Sequence, residues 1–396
     1  MLIPAAPEIH SRLLNIISDK NNFQTTIIAA AMFKKLIENK KLGGVNCIIW
    51  KDGGIVYEES EGYKNLETSE LMTPDTIFRI ASMTKPITSV LAMKLCEEKK
   101  LNLHDTIIKW FPQFKNMKVL KNKSGEYEDA NRPVTILDLL THKSGFTYDG
   151  FLGGDIDSAL THEQWIKGLA SLPLASQPGE IFNYGRSTDL LGILISTIEE
   201  KPLGKVMEEK IFHPLEMSDT FFTVPNYKRN RCAANIGYDE SGDIIHLETV
   251  PAKMAFKERP RNLEFESGGQ GLWSTTCDYL KFAKLFVENG SSNGVRILKR
   301  ETIELMRTNQ LTALQRERSK LLGSSIFREH YGFGLGLAVV LKESNASMPC
   351  SGSIGSVGWP GAYGGWWSAD PVKKNYFYIS HTQYDRTKTT CTRNRI

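Results

Sequence analysis

"FRIASMTKPITSVLAMKLCEEKK", Phe78 to Lys100, places a serine where an extended apolar run gives way to a helix, with a lysine three residues later. Up to Ser82 the stretch reads as a short extended segment, "TIFRIAS". Beyond it the period changes, because Ile87, Val90, Leu91 and Leu95 fall on one helical face and the charged "EEKK" reads as a solvated helix end. A serine at such a junction is most often an N-cap accepting a backbone N–H, and a lysine there is most often solvated. Roughly one Ser-x-x-Lys is expected by chance in a chain of this length. Taken alone, the motif is weak.

Its setting strengthens it. Residues three apart on a helix share a face, with Cβ atoms roughly 5 to 6 Å apart, so Lys85 is within reach of the Ser82 hydroxyl. A helix N-terminus presents free N–H groups and a positive potential, which stabilise an alkoxide and disfavour an ammonium. Burial of a lysine also favours its neutral, base-competent form. Pro86 fits the first turn, where its missing N–H costs least. Ser82 is therefore a candidate nucleophile with Lys85 as its activating partner.

Around this stretch the patterns change along the chain. A helical stretch over roughly 22 to 40 precedes a hairpin, in which Val45 to Trp50 and Ile55 to Tyr57 flank the turn Asp52-Gly53-Gly54. Helical patterns then dominate in "TILDLLTHKSG", "EQWIKGLASL", "STDLLGILISTIEEK" and "GKVMEEKIFHPL". Near residue 262 a Gly-rich turn and a helix follow in "SGGQGLWSTTCDYLKFAKLFVENG", and "YGFGLGLAVVL", "YGGWWSAD" and "KNYFYISHTQ" read as strands. The expectation is a mixed α/β (α+β) fold, an antiparallel sheet flanked by helices with an inserted, mostly helical lobe. Its α/β lobe would comprise about 1–81 plus 262–396 and its helical lobe about 82–261 of a single catalytic domain.

Composition narrows the classes. Of 396 residues, 41% are hydrophobic and 24% charged, as in ordinary soluble globular proteins. The net charge of +4 is scattered, so no basic patch points to nucleic acid. No apolar run of about 18 residues suggests a membrane span, and the N-terminus lacks the pattern of a secretory signal. Cys47, Cys96, Cys232, Cys277, Cys350 and Cys391 include no CxxC pair, which argues for reduced structural thiols rather than a zinc site or disulfide framework. The expectation is a cytoplasmic protein with neither metal nor cofactor.

Five ordered segments resemble the serine β-lactamase-like superfamily of penicillin-binding proteins, class C β-lactamases and family VIII carboxylesterases. They are "SMTK", "VTILDLLTHKSG", "QPGEIFNYGRSTDLLG", "SGGQGLWSTTCDYLKFAKLF" and "GWPGAYGGWWSADP". The last is similar to the esterase branch, where a W-G-G segment stands at the K-T-G position of β-lactamases. The resemblance implies that Ser82 is the nucleophile, Lys85 its partner and Tyr184 a proton relay near Lys85, with either Lys85 or Tyr184 as the base. It further implies an oxyanion hole from the N–H groups of Ser82 and Ala362, and substrate contacts from Trp359, Gly361 and Arg186, with Trp359 walling the acyl pocket.

Three departures bear on substrate. Arg186 stands where lactamases carry Asn; a guanidinium there would read a carboxylate or turn out to a surface salt bridge. Trp359-Pro360-Gly361 replaces Lys-Thr-Gly, removing the cation that would meet a penicillin carboxylate, and Pro360 restricts strand pairing. The tail "YDRTKTTCTRNRI" shows little apolar periodicity where the family has a helix on the sheet, and an uncovered sheet face would be a surface for a homodimer. One of Trp366 and Trp367 is expected to line the pocket and the other to pack outside. His142, His213 and His381 read as structural, and Phe146, Tyr148 and Phe151 as an apolar lid or a loop anchor. The implied activity is a cofactor-free carboxylesterase acting on a small-molecule ester. The alternatives are a β-lactamase, a D-Ala-D-Ala peptidase or an acyltransferase of the same fold, and a non-catalytic sensor.

Overall fold

A computed structural model of the chain describes residues 31–122, 125–148, 161–238, 244–246, 264–321, 324–327, 329–342, 350–381 and 383–384. The first part of the expected N-terminal helix, Phe151 and the tail after Tyr384 lie outside these residues; positions 31–38 are helical.

The hairpin forms where the turn residues call for it. Asp52 and Gly53 have φ of 48° and 96°, the paired left-handed conformation of the two-residue turns that match strand twist. They join β1 (Gly44–Lys51) to β2 (Gly54–Asn65), which continues to β3 (Glu70–Leu71). Later come β4 (Tyr331–Phe333), β5 (Ala338–Val340), β6 (Val357–Gly358), β7 (Trp366–Asp370) and β8 (Asn375–His381). These eight strands form one sheet in the order β4-β5-β6-β7-β8-β1-β2-β3. Every neighbouring pair is antiparallel. The register from Val45↔His381 to Lys51↔Asn375 ties the early strands to the late ones.

Strand alternation gives the sheet two apolar faces. Val45, Cys47 and Ile49 pack with Trp366 and with Phe33 of the 31–38 helix, whereas Ile48 and Trp50 enter the larger core. Trp366 and Trp367 thus point to opposite faces and both are buried, so neither lines a pocket as expected. The face around Trp366 is covered by the chain's own 31–38 segment.

The helices that matter for the site are α1 (Thr84–Glu97), α2 (Ile136–Leu140), α3 (His162–Ala170), α4 (Ser187–Glu199) and α5 (Thr276–Val287). The α1 face predicted from spacing, Ile87, Val90, Leu91 and Leu95, is fully buried. Burying each such side chain contributes about 1.5–3 kcal/mol. On α5, Tyr279 and Phe286 meet Trp367 at 5.5 and 5.7 Å between ring centroids, fixing that helix under β7. The extended run before Ser82 pairs over only two residues, Phe78–Arg79 against Trp273–Ser274. His142 is buried in the turn after α2 with φ of 52°, but His213 is exposed rather than a packing residue.

That turn is held by a cap. Thr135 and Asp138 form a capping box at the start of α2, and Arg132 adds two bonds to Asp138 at 2.6 and 3.0 Å. The carboxylate is buried, so removing it leaves the Thr135 N–H and the guanidinium without their partner. Asp138→Ala is expected to lower unfolding stability by about 3 kcal/mol in urea titrations. A loss under about 1 kcal/mol would contradict this role of the cap.

Candidate active site

The serine sits on a strained turn. Ala81 has φ of 45°, a conformation uncommon for a residue with a side chain. Residues Ala81–Met83 make one 3-10 turn that runs directly into α1. Tyr279 of α5 donates to the Met83 carbonyl at 2.9 Å, supporting the turn from beneath. Ser82 does not cap the helix: the residue before α1 is Met83, and no side chain closes that end. Its half-buried hydroxyl instead meets Lys85.

Lys85 is 1% exposed. Its Nζ lies 3.2 Å from Ser82 Oγ, 2.7 Å from the Gly269 carbonyl and 3.4 Å from the Tyr148 hydroxyl. Three N–H groups therefore face three oxygens, which is how a buried amine avoids the cost of an unmade bond.

The Gly269 carbonyl reaches the amine because the "SGGQG" turn wedges between α1 and α4. A Cβ on Gly269 would stand 2.5 Å from the Asp189 carboxylate, and one on Gly268 would stand 2.8 Å from the Thr188 carbonyl. Thr88 donates to the Gly268 carbonyl at 2.7 Å. Asp189, in the first turn of α4 and 3% exposed, accepts from the Gly269 N–H at 3.1 Å, from the Ser267 hydroxyl and from Tyr148 at 3.2 Å.

Tyr184 stands beside the lysine, its ring centroid 4.6 Å from Nζ. Among the described residues its hydroxyl bonds to neither Ser82 nor Lys85; it accepts from Trp359 Nε1 at 3.1 Å. The ring is held by Trp359 at 5.2 Å, His142 at 4.9 Å and Tyr148 at 5.7 Å. Burial, and then the nearby Lys85 charge, push the His142 imidazole well below its ordinary pKa, so it is neutral. Neither of its ring nitrogens has a hydrogen-bond partner among the described residues. Gly185 permits the close approach of the 146–147 backbone, since a Cβ there would come within 2.3 Å of Thr147 Cα.

Arg186 is buried rather than exposed. Its Nη1 donates to the Thr147 carbonyl at 2.9 Å, and its guanidinium lies 5.4 Å from the Tyr148 ring.

The stretch after β6 approaches the serine turn from the other side. Pro360 offers no N–H, and the chain from Trp359 to Gly365 forms a loop rather than a strand. Gly361 donates to the Gly365 carbonyl at 2.7 Å, and a Cβ on Gly361 would stand 2.5 Å from the Ile80 carbonyl. Ala362 is exposed at the tip of this loop, and its N–H has no acceptor among the described residues. Trp359 itself is 1% exposed, with its indole N–H turned to Tyr184.

Reasoning from the sequence missed Asp189 and the Gly269 carbonyl, and took Tyr148 for a lid or loop aromatic rather than a partner of Lys85. An acid in the otherwise apolar "STDLLGILIS" is a visible signal, because a buried carboxylate needs partners. Phe146 packs edge-on against Phe114 at 5.6 Å and anchors its loop, whereas the Tyr148 hydroxyl meets Lys85 and Asp189. Among the described residues no group of three or more His, Cys, Asp or Glu could hold a metal, and no helix is long and apolar enough to cross a membrane.

Comparison with known proteins identifies the family. The Beta-lactamase family profile matches residues 29–395. Protein Rv1367c of Mycobacterium tuberculosis is 36% identical over 353 residues, covering 86% of each chain. Esterase EstB of Burkholderia gladioli is 26% identical over 381 residues, covering 90% of each. Among solved structures, EstCE1, described as a hydrolase with promiscuous acyltransferase activity, superposes with a TM-score of 0.74 at 23% identity and covers 95% of both chains. The chain belongs to the Beta-lactamase family and is a serine hydrolase of that fold.

Proposed function

We propose that the protein is a carboxylesterase that cleaves small esters through an acyl-enzyme on Ser82. The observation that carries the reading is the Lys85 amine, 1% exposed and 3.2 Å from the Ser82 hydroxyl. In this mechanism Ser82 Oγ gives its proton to Lys85 Nζ as it attacks the ester carbonyl carbon. The carbonyl oxygen becomes an oxyanion received by the N–H groups of Ser82 and Ala362. The tetrahedral adduct collapses, the C–O bond to the alcohol breaks, and the departing oxygen takes a proton from the Lys85 ammonium. Water then attacks the acyl carbon, passes one proton to Lys85, and Ser82 recovers it as the acid leaves. One ester and one water become one acid and one alcohol.

Tyr184 serves this cycle as a neighbour of the amine, its ring beside Lys85 Nζ and its hydroxyl held by the Trp359 N–H. Trp359 accordingly orients Tyr184 more than it walls the acyl site. Arg186 donates to the Thr147 carbonyl, which supports a role in holding the 147–148 segment. An indole in place of a lysine at position 359 leaves no cation there for a lactam carboxylate, which favours neutral esters. The esterase name of the Burkholderia relative points the same way.

The decisive comparison is a chromogenic short-chain ester series against a chromogenic cephalosporin. Ester turnover that vanishes in Ser82→Ala, with a fluorophosphonate adduct present only in wild type, is the expected outcome. Cephalosporin turnover exceeding ester turnover would instead make this a lactamase. Gly361→Ala tests the oxyanion loop, because the added methyl group would push the loop away from the Ile80 carbonyl. Its kcat is expected to fall by about 10²–10³ with KM changed less than about threefold. Turnover within about fivefold of wild type would place the oxyanion elsewhere.

A further inference from the structure

We propose that Tyr148 and Asp189 are a positioning pair that sets the direction of proton movement at Lys85. The proposal rests on the Ser82–Lys85 reading above and concerns what makes that pair work in one direction. Asp189 holds the single hydroxyl proton of Tyr148, which leaves Tyr148 only its lone pairs to offer the lysine.

Donors and acceptors around one nitrogen decide which way the proton moves. The Gly269 carbonyl can only accept. Tyr148 has one O–H, and at 3.2 Å it points to Asp189 Oδ2. The other carboxylate oxygen receives the Ser267 hydroxyl and the Gly269 N–H, so three donors converge on a side chain 3% exposed. As an ammonium, Lys85 places its three N–H groups on Ser82, Tyr148 and Gly269. As a neutral amine it has two N–H groups and one lone pair. Two of its three neighbours can only accept, so the lone pair must face Ser82, the one neighbour with a proton to give. Among the described residues the nucleophile is thereby the sole proton source for its base.

The other titratable or charged groups described beside the amine do not alter this count. The Tyr184 hydroxyl is engaged with Trp359, His142 is neutral, and Arg186 donates to the Thr147 carbonyl. Arg186 contributes indirectly, since that bond and its guanidinium beside the Tyr148 ring fix the segment carrying the phenol. Asp189 has a second hold on the amine through the Gly269 N–H, whose own carbonyl is the shortest contact of Nζ.

A double-mutant cycle on the full chain, read as kcat, KM and the rate of Ser82 phosphonylation by a fluorophosphonate, tests the pair. In Asp189→Asn the amide can donate to the Tyr148 oxygen, turning that hydroxyl towards Lys85 and capturing the lone pair. The expected loss is about 30–100-fold in kcat and phosphonylation rate, with KM within about threefold of wild type. Tyr148→Phe is expected to lose about tenfold, and in its background Asp189→Asn should cost less than about threefold, because no hydroxyl remains to turn. Losses that multiply, or a Tyr148→Phe protein with wild-type rates, overturn the proposal while leaving the hydrolase reading intact. Should Asp189→Asn fail to unfold cooperatively, Tyr148→Phe alone decides: about tenfold slower phosphonylation at unchanged KM supports the pair, and a rate within about twofold overturns it. A wild type that the fluorophosphonate does not label at Ser82 overturns both readings together.

Discussion

An amine taken out of water must find a partner for every N–H it carries, and the site is organised around that requirement at Lys85. The side chain is 1% exposed, yet each of its neighbours comes from a different part of the chain. Ser82 precedes it on the same turn, Tyr148 follows α2, and Gly269 lies in the turn between α4 and α5. Satisfying one nitrogen thus fixes the approach of several segments at once. The lysine is a structural keystone for the same reason that it is chemically poised.

Close backbone approach is the second constraint, and glycine supplies it on both sides of the serine turn. Gly269 leaves room for the Asp189 carboxylate, and Gly361 lets its loop meet the Ile80 carbonyl. Between them Ala81 takes a left-handed conformation that a residue with a Cβ seldom adopts. Such strain persists when the surroundings over-determine the backbone. Here Tyr279 from below and the 361–365 loop from the side hold the turn that presents the Ser82 hydroxyl.

Much of this was legible in the sequence because it depends on periodicity and local chemistry. The Ile87–Leu95 stripe, the Asp52-Gly53 turn and the three-residue Ser82–Lys85 spacing each follow from backbone geometry that the residues themselves announce. What could not be read depends on long-range approach. Tyr148 is 63 residues from Lys85 and Gly269 is 184, and no local pattern encodes either contact. Arg186 was ambiguous for a related reason: an acceptor of its guanidinium is a backbone carbonyl, which has no identity in the sequence. Trp366 and Trp367 followed strand alternation, but the covering of both faces depended on the packing of α5 and the 31–38 helix.

The most direct test of the central claim replaces the amine while keeping its volume. Lys85→Met retains the length of the side chain and removes its proton chemistry. The account predicts a protein with native near-ultraviolet circular dichroism whose Ser82 phosphonylation is slowed by about 10³-fold or more, within the range a positioned base supplies together with its nucleophile. A folded Lys85→Met protein that is phosphonylated within about tenfold of the wild-type rate would contradict it.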